Sequence, residues 1–258
     1  LARAHFYPVH RGVPRATLVL GHGAGGGVDA WDLQLLAATL PPVGIDTVLV
    51  EQPWRVAGKK VAESQGRVDA AFREVVTDLK RSGEALRRLV VGGRSSGARI
   101  ACRTAASVGA DGVLCLAFPL HRPGRPTPTR VDELIAAGEH APVTVIQGDR
   151  DSFGSPVEVA SAVAEHNARA LVVSVPWADH SFKIPKKATI TTEEVGLIIT
   201  ESARRVLLDR LEGRGPLRER WFRLGSRGGS TGPQPRRQRR RCFGRCSLNR
   251  SRRREGRR

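Results

Sequence analysis

The fold is decided by the stretch Leu89-Val90-Val91-Gly92-Gly93-Arg94-Ser95-Ser96-Gly97-Ala98-Arg99-Ile100-Ala101-Cys102. It begins as an apolar run typical of a buried strand, and it ends with small and apolar residues at helical spacing. Between the two parts lies Gly93-x-Ser95-x-Gly97, whose glycines leave room for a sharp reversal of the chain. The stretch therefore predicts a strand, a tight turn with Ser95 at its apex, and a helix.

A turn of this kind prepares its apex residue for chemistry. It forces that residue into a strained backbone conformation that lifts the side chain clear of the sheet, and the first amides of the following helix then point at any oxygen that gains negative charge beside it. Because the chain holds 28 glycines, the five-residue pattern can also arise by accident in a loop. The strand-like and helix-like flanks favour a nucleophile elbow, with Ser95 as the nucleophile.

A serine nucleophile requires two partners further along the chain. Its hydroxyl reacts when a histidine takes the proton, and the histidine works when a carboxylate fixes its tautomer and stabilises its charged form. A strand predicted at 143–147 runs into Gly148-Asp149-Arg150-Asp151, and a strand predicted at 171–175 is followed by Asp179-His180. The carboxyl ends of parallel strands meet at one edge of a sheet, so we expect both loops beside Ser95.

The base and the acid follow from these positions. Only His166 and His180 come after the aspartate loop, and His166 precedes its strand, which places it at the opposite rim of the sheet. His180 is therefore the predicted base. Asp151 is the predicted acid, because a Gly-x-x-Asp spacing carries its side chain past the end of the strand, whereas Asp149 is expected to cap the turn.

The remainder of residues 1–213 alternates strand-like and helix-like segments, which is typical of a parallel sheet covered by helices on both faces. About six strands are predicted. The clearest further segments are strands at 16–20, 46–50 and 112–118 and helices at 31–40, 68–86 and 193–211. The segment 119–142 is short for a lid, so we expect an open cleft. The predicted class is α/β, with a doubly wound, mostly parallel sheet and no large lid.

A glycine-rich loop after the strand at 16–20 allows a different function. Gly21, Gly23 and Gly26 match Gly-x-Gly-x-x-Gly between a strand and a helix, and Glu51 ends the next strand, where a ribose-binding acid would lie in a dinucleotide-binding fold. The same loop reads His22-Gly23-Ala24-Gly25, which is typical of loops whose amides bind an oxyanion. The partners of Ser95 favour the second interpretation, and a dinucleotide-binding protein is the less favoured alternative.

Composition limits the remaining classes of protein. The chain has 258 residues, 40% of them hydrophobic, and it contains no apolar run long enough to cross a membrane. Residues 1–5 do not resemble the start of a secretory signal, and Cys102 and Cys115 lie in apolar runs where thiols act as small core residues. Cys242 and Cys246 have no further metal ligands nearby. We therefore expect a cytoplasmic protein that acts on a small molecule, without metal, cofactor or membrane partner.

The basic charge is concentrated in the segment 214–258. With seventeen Arg, no Lys and two Glu, this segment supplies +15 of the net charge of +18. Because it has few apolar residues, we predict a disordered tail that follows a folded domain at 1–213. Three interpretations stay open: an arm that binds nucleic acid or another acidic surface, a solvated tail, or a stretch translated out of its natural frame. Nucleic acid is otherwise not an expected partner.

Six stretches between residues 16 and 184 form a recognisable set. They are Gly21-His22-Gly23-Ala24-Gly25, Glu51-Gln52-Pro53-Trp54-Arg55-Val56-Ala57-Gly58, Gly92-Gly93-Arg94-Ser95-Ser96-Gly97-Ala98-Arg99, Phe118-Pro119-Leu120-His121-Arg122-Pro123-Gly124, Gln147-Gly148-Asp149-Arg150-Asp151 and Ala178-Asp179-His180-Ser181-Phe182. This set resembles the small α/β hydrolases related to dienelactone hydrolases. It resembles more closely the branch with the testis-expressed and NSL-complex-subunit hydrolase-like domains and many bacterial proteins. The segment after 213 has no counterpart in the pattern.

The resemblance implies an α/β hydrolase fold and a serine esterase, with Ser95 as nucleophile, His180 as base and Asp151 as acid. It also implies that the backbone amides of Ala24 and Ser96 bind the oxyanion. Some members of the branch serve as hydrolase-like domains in larger assemblies, so a non-catalytic interaction domain is a further alternative. Side chains expected at the same rim, which suit an anionic or aromatic substrate, are Trp54, Arg94, Arg99, His121 and Arg122. The candidate substrate contacts are His22, Trp54, Arg94 and His121.

Overall fold

The computed structural model describes residues 1–59, 63–83, 88–127, 129–166 and 169–208, together with 242 and 243. The strands are β1 (Arg3–Tyr7), β2 (Ala16–Gly21), β3 (Ile45–Glu51), β4 (Leu89–Arg94), β5 (Gly112–Leu116), β6 (Val143–Gly148), β7 (Ala170–Val175) and the two-residue β8 (Cys242–Phe243). The helices are α1 (Trp31–Thr39), α2 (Pro53–Val56), α3 (Gln65–Arg81), α4 (Ser96–Thr104), α5 (Val131–His140), α6 (Pro156–Glu165) and α7 (Thr192–Leu208), with a 3₁₀ turn at Pro41–Val43.

The strands form one sheet in the order β7-β6-β5-β4-β2-β3-β1, and β8 pairs with the outer edge of β1. All pairs from β7 to β3 are parallel, whereas β1 runs antiparallel to β3 and β8 antiparallel to β1. Strand β4 lies in the middle, with Val91 opposite Val19 on one side and opposite Val113 on the other. The turn after β4 therefore opens at the centre of the carboxyl edge of the sheet.

Both faces of the sheet are covered, which explains why the strands are apolar at nearly every position. Alternate residues point to opposite faces: Val19 belongs to the core beneath α3, α4, α5 and α6, whereas its neighbours Leu18 and Leu20 belong to the core beneath α1 and α7. Burial on both sides makes the central strands a rigid base for the loops at their ends. Functional side chains on those loops are thus held by a packed scaffold.

The predicted class, a mostly parallel α/β sheet flanked by helices, is confirmed, and the six predicted strands are all present. Strand β1 was not predicted. Its sequence Arg-Ala-His-Phe-Tyr lacks a continuous apolar run, because an edge strand exposes part of its surface. The helix predicted at 68–86 is observed at Gln65–Arg81, and the one predicted at 193–211 is observed at Thr192–Leu208. The predicted tail at 214–258 lies outside the described residues, apart from β8.

The segment between β5 and β6 provides α5, which packs in the same layer as α4 and α6 rather than above the carboxyl edge of the sheet. This arrangement agrees with the expectation of a fold without a large lid. Among the described residues, no helix combines the length and the apolar character that a membrane crossing requires.

Candidate active site

Ser95 stands at the turn between β4 and α4, and its backbone adopts φ 53° and ψ −112°. A non-glycine residue pays for positive φ with steric strain, so such a residue is retained where the surrounding structure imposes it. Here the neighbours impose it: a Cβ on Gly93 or on Gly97 would run into the carbonyl oxygen of Gly21 in β2. The close approach of β2 and α4 holds Ser95 at the apex, half-buried and facing the carboxyl edge.

His180 lies between Ser95 and Asp151. Its Nε2 is 2.9 Å from the Ser95 hydroxyl oxygen, and its Nδ1 is 2.8 Å and 3.0 Å from the two carboxylate oxygens of Asp151. These distances fit a neutral imidazole that donates its Nδ1 proton to Asp151 and accepts the Ser95 hydroxyl proton at Nε2. The structure thus brings together the three residues that the sequence proposes as nucleophile, base and acid.

The carboxylate of Asp151 is itself held in place. The side chain is fully buried, one oxygen accepts from the amide of Gln147 at 2.9 Å, and the other accepts from the backbone N–H of Phe153 at 2.8 Å. Asp149, which the sequence analysis set aside, has an exposed side chain. Sequence reasoning missed Gln147, whose place at the end of β6 was the only available signal.

The aspartate loop and the histidine loop touch at a third glycine. A Cβ on Gly148 would run into the carbonyl oxygen of Ala178, and the backbone N–H of Arg150 donates to the same oxygen at 2.9 Å. Two loops that follow different strands are therefore fixed to each other by backbone contacts. This contact sets the separation between Asp151 and His180.

Phe153 is a second residue that sequence reasoning missed. Its ring stacks on the imidazole of His180 with centroids 4.1 Å apart and an interplanar angle of 29°. The ring is half-buried, and its backbone N–H is the one that binds Asp151. Phe153 thus limits the rotation of His180 from one side while Asp151 and Ser95 align the two ring nitrogens.

The loop after β2 passes close to Ser95. A Cβ on Gly23 would lie 3.5 Å from the Cβ of Ser95, and Ala24 is the next residue. Ser96 is the first residue of α4, where helical amides have no partner within the helix. Within the part of the chain that the structure describes, the backbone amides of Ala24 and Ser96 have no hydrogen-bond acceptor. Both are therefore available to an oxyanion.

Two of the four candidate substrate contacts are closed to solvent. The His22 ring is fully buried; its Nδ1–H donates to the carbonyl of Gly23 at 2.8 Å, and its Nε2 accepts from the backbone N–H of Gln52 at 3.0 Å. Trp54 is equally buried and packs edge-on against His22, with ring centroids 5.3 Å apart. Burial lowers the pKa of His22, which keeps the imidazole neutral. The predicted substrate contact of His22 is not retained, because its ring is enclosed, whereas the ring of Trp54 forms part of the wall of a cavity beside Ser96 and its contact stays a prediction.

The other two candidates are engaged by the protein. Arg94 contacts the carboxylate of Asp32 and the backbone carbonyl of His180, so its guanidinium points into the domain. His121 is mostly buried; its Nδ1–H donates to the carbonyl of Arg122, and its Nε2 is 3.5 Å from a Glu158 oxygen. Each of the two side chains is engaged within the fold through at least one polar atom, and their role as substrate contacts stays a prediction.

The two further rim arginines differ. Arg99 binds both carboxylate oxygens of Glu133 at 2.9 Å and 2.6 Å, while Arg122 is exposed.

A cavity of about 150 Å³ begins beside Ser96; its walls are formed by Trp54, Glu63, Gln65, Val68, Ser96, Arg99 and Arg103. The cavity adjoins the residue that follows Ser95.

Two observations argue against a dinucleotide-binding loop. The carboxylate of Glu51 lies 3.3 Å from Arg3 and 3.1 Å from His5 of β1, so it binds the edge strand rather than facing the glycine loop. A Cβ on Gly26 would meet nothing within 4 Å, whereas the third glycine of a dinucleotide motif is needed for close packing of helix on strand.

Within the described residues, no group of three His, Cys, Asp or Glu side chains is spaced to hold a metal ion.

Comparison with known proteins agrees with this fold. The sequence model of the family described as alpha/beta hydrolase domain matches residues 14–206. A serine hydrolase homologue from Coxiella burnetii superposes with a TM-score of 0.63 at 16% identity, over 78% of this chain and 91% of that one. A lidless serine hydrolase from Xanthomonas campestris gives 0.59 at 18%, over 79% and 88%. A proposed dienelactone hydrolase from Klebsiella pneumoniae gives 0.60 at 21%, over 79% and 91%.

Proposed function

The chain belongs to the alpha/beta hydrolase domain family, and from this premise we propose that it is a serine hydrolase that cleaves an ester, or a related acyl bond, of a small molecule. The observation that carries the proposal is the continuous set of hydrogen bonds from Ser95 through His180 to Asp151. The Ser95 hydroxyl oxygen lies within hydrogen-bond reach of Nε2 of His180, as transfer of its proton to a general base requires.

In the proposed acylation step, the Ser95 oxygen forms a bond to the carbonyl carbon while its proton passes to Nε2 of His180. Asp151 stabilises the imidazolium through Nδ1 and does not itself take up the proton. The tetrahedral intermediate then collapses: the bond to the leaving oxygen breaks, and His180 returns the proton to that oxygen. An alcohol departs, and the acyl group stays on Ser95.

Deacylation repeats the sequence with water. His180 removes a proton from the water molecule, the resulting hydroxide attacks the acyl carbon, and the bond to the Ser95 oxygen breaks as that oxygen regains the proton. In both steps the amides of Ala24 and Ser96 donate to the negative oxygen. Loss of one such donor typically costs about a hundredfold to a thousandfold in rate.

The size of the substrate is proposed from the cavity beside Ser96. A volume of about 150 Å³ has room for about five groups the size of a water molecule, so a short acyl or alcohol group fits there. Because its walls carry both arginine and glutamate side chains, we propose that the bound group is polar. A dienelactone-hydrolase-like activity and a closer relationship to the testis-expressed and NSL-complex-subunit branch are parts of the same proposal.

A cytoplasmic location is proposed from the thiols. Cys102 and Cys115 are buried with their sulfurs 3.5 Å apart, and both are free. A reducing compartment keeps such neighbouring thiols unpaired.

The test is the reaction of the purified full chain with a fluorophosphonate probe, which forms a covalent bond with an activated serine and needs no knowledge of the substrate. We expect the wild type to be labelled at Ser95, and Ser95→Ala and His180→Ala to remain unlabelled. Asp151→Asn is expected to slow labelling by about 10³–10⁴-fold, since the histidine loses the carboxylate that fixes its tautomer. Asp149→Asn, two residues away and exposed, is the matched control and should be labelled at the wild-type rate.

The opposite result has a defined meaning. If the folded wild type is not labelled, the hydrolase proposal is wrong, and the non-catalytic interaction domain becomes the favoured function. If labelling occurs at a serine other than Ser95, the assignment of the nucleophile is wrong.

A further inference from the structure

An ion pair between Arg94 and Asp32 contacts the histidine loop. The Nε of Arg94 is 3.1 Å from a carboxylate oxygen of Asp32, whose side chain is 0% exposed, while that of Arg94 is 14% exposed. Asp32 belongs to the first turn of α1, and Arg94 is the last residue of β4, directly before Ser95. The pair therefore connects the nucleophile turn with a helix on one face of the sheet.

The same guanidinium makes a second contact. Its Nη2 donates to the backbone carbonyl of His180 at 2.8 Å. A planar guanidinium can bind a carboxylate with one edge and a carbonyl with another, because its donors point in fixed, divergent directions. Arg94 thus holds the backbone of His180. The ring of His180 in turn binds Ser95, the residue next to Arg94 in the chain.

A residue at the start of α1 binds the carbonyl of Ser181, the residue that follows His180. The indole N–H of Trp31 donates to the carbonyl of Ser181 at 2.9 Å. Two successive peptide groups of the histidine loop are therefore fixed from α1, one directly by Trp31 and one through Asp32 and Arg94. The ring of Phe153 stacks on the imidazole. His180 is consequently held by its backbone as well as by its side chain.

The buried pair is not expected to contribute much to the stability of the fold. Burial raises the pKa of Asp32, and the charge of Arg94 is the largest influence that opposes the rise. Buried ion pairs often contribute little to folding, because desolvation of both charges offsets their attraction, and apolar replacements of similar size are frequently tolerated. The contact of Arg94 with the His180 carbonyl instead suggests a role in the histidine loop.

We propose that Arg94, oriented by Asp32, is a positioning residue that holds the backbone of His180 so that Nε2 remains in line with the Ser95 hydroxyl. This inference rests on the proposed serine hydrolase function. Because His180 acts in both acylation and deacylation, a misplaced ring slows the two steps together. For an ester such as p-nitrophenyl acetate, kcat then falls while KM stays nearly constant.

The test compares two arginines at opposite ends of β4. Arg94→Lys replaces the planar fork by an ammonium on a flexible stem, which lacks the fixed geometry that joins Asp32 to the His180 carbonyl. Arg88→Lys is the matched control, because Arg88 is also buried and also donates to a backbone carbonyl, that of Val206, at the far end of the strand. We expect fluorophosphonate labelling and kcat to fall by about tenfold to hundredfold in Arg94→Lys, and to stay at the wild-type level in Arg88→Lys.

A double variant separates positioning from folding. Asp32→Leu combined with Arg94→Met removes both charges, so its thermal midpoint should return close to that of the wild type even if Arg94→Lys alone is less stable. We expect labelling to stay as slow as in Arg94→Lys, because the His180 carbonyl still lacks its donor. If the wild type is labelled and the double variant is labelled equally fast, the positioning role is wrong and the hydrolase function stands. If the wild type is not labelled, the hydrolase function itself fails.

Discussion

In the turn between β4 and α4, a Cβ on Gly93 or Gly97 would run into the backbone of β2, whereas in the loop after β2 a Cβ on Gly25 or Gly26 would meet nothing within 4 Å. Both turns are rich in glycine, both follow a parallel strand, and they meet at Ser95. In the first turn, glycine permits backbone contact between β2 and α4. In the second, Gly25 and Gly26 have open space around them. The difference shows that a glycine pattern acquires its meaning from what packs against it.

The loop after β2 is held by a different kind of residue. His22 is bound at both ring nitrogens, by the carbonyl of Gly23 and by the backbone N–H of Gln52. The buried imidazole thus ties the loop to the end of β3, which leaves the following amides, including that of Ala24, free to face Ser95. Gly93 and Gly97, which allow close backbone contact, position Ser95. The buried His22 positions the loop that faces it.

The largest effect is expected from Gly97→Ala. The added methyl group must displace the backbone of Gly21 and His22, which cannot move without disturbing β2. We expect the free energy of unfolding, measured by denaturant titration, to fall by about 3 kcal/mol or more. A loss below about 1 kcal/mol would show that α4 can move away from β2, and the contrast between the two turns would lose its basis.

A smaller effect is expected from Gly148→Ala, which extends the comparison to the contact between the aspartate and histidine loops. The methyl group pushes against the carbonyl oxygens of Ala178 and Asp179. We expect fluorophosphonate labelling to slow by about tenfold to hundredfold, with a loss of about 1–3 kcal/mol in the free energy of unfolding. Unchanged labelling would mean that this glycine does not control the distance between Asp151 and His180.

The buried ring of His22 should make the free energy of unfolding depend on pH. Because the pKa of His22 is lowered in the folded protein, the unfolded chain takes up a proton that the folded chain does not as the pH drops below about 6.5. The free energy of unfolding therefore decreases on acidification through this range, by up to about 1.4 kcal/mol per pH unit from this group.

His22→Gln removes that contribution. Denaturant titrations at several pH values between 7 and 5 should give a shallower slope for the variant than for the wild type, whatever its absolute stability. Equal slopes would indicate that folding does not lower the pKa of His22, which would contradict a buried ring whose Nε2 accepts from the Gln52 N–H.

The smallest effect is expected from Gly26→Ala. Nothing surrounds the position, so the free energy of unfolding should change by no more than about 0.5 kcal/mol, and labelling should match the wild type. A large loss of either would indicate that Gly26 packs closely against a neighbour, as in a dinucleotide-binding loop, and would revive that alternative.

The parts of the site that could be predicted are those that depend on local pattern and chain order. Gly93-x-Ser95-x-Gly97 between an apolar run and a helical pattern indicated the turn, and Asp151 and His180 were selected because each follows a predicted strand. Parallel strands end at one edge of a sheet, so strand order alone brings such residues close. The edge strand β1 escaped prediction because its pairing with β3, and not an apolar pattern, makes it a strand.

The sequence by itself determined the α/β class, the turn at Ser95 and the three residues that meet there, because turn chemistry, hydrophobic periodicity and strand order act over short stretches of chain. Only the tertiary structure decided where the other polar side chains point. His22, Trp54 and Arg94 had the residue types expected of substrate contacts, yet the first two are buried and Arg94 binds Asp32 and the His180 carbonyl. The partners of a side chain come from segments tens of residues away in the chain, and local pattern carries no information about which of them it will reach.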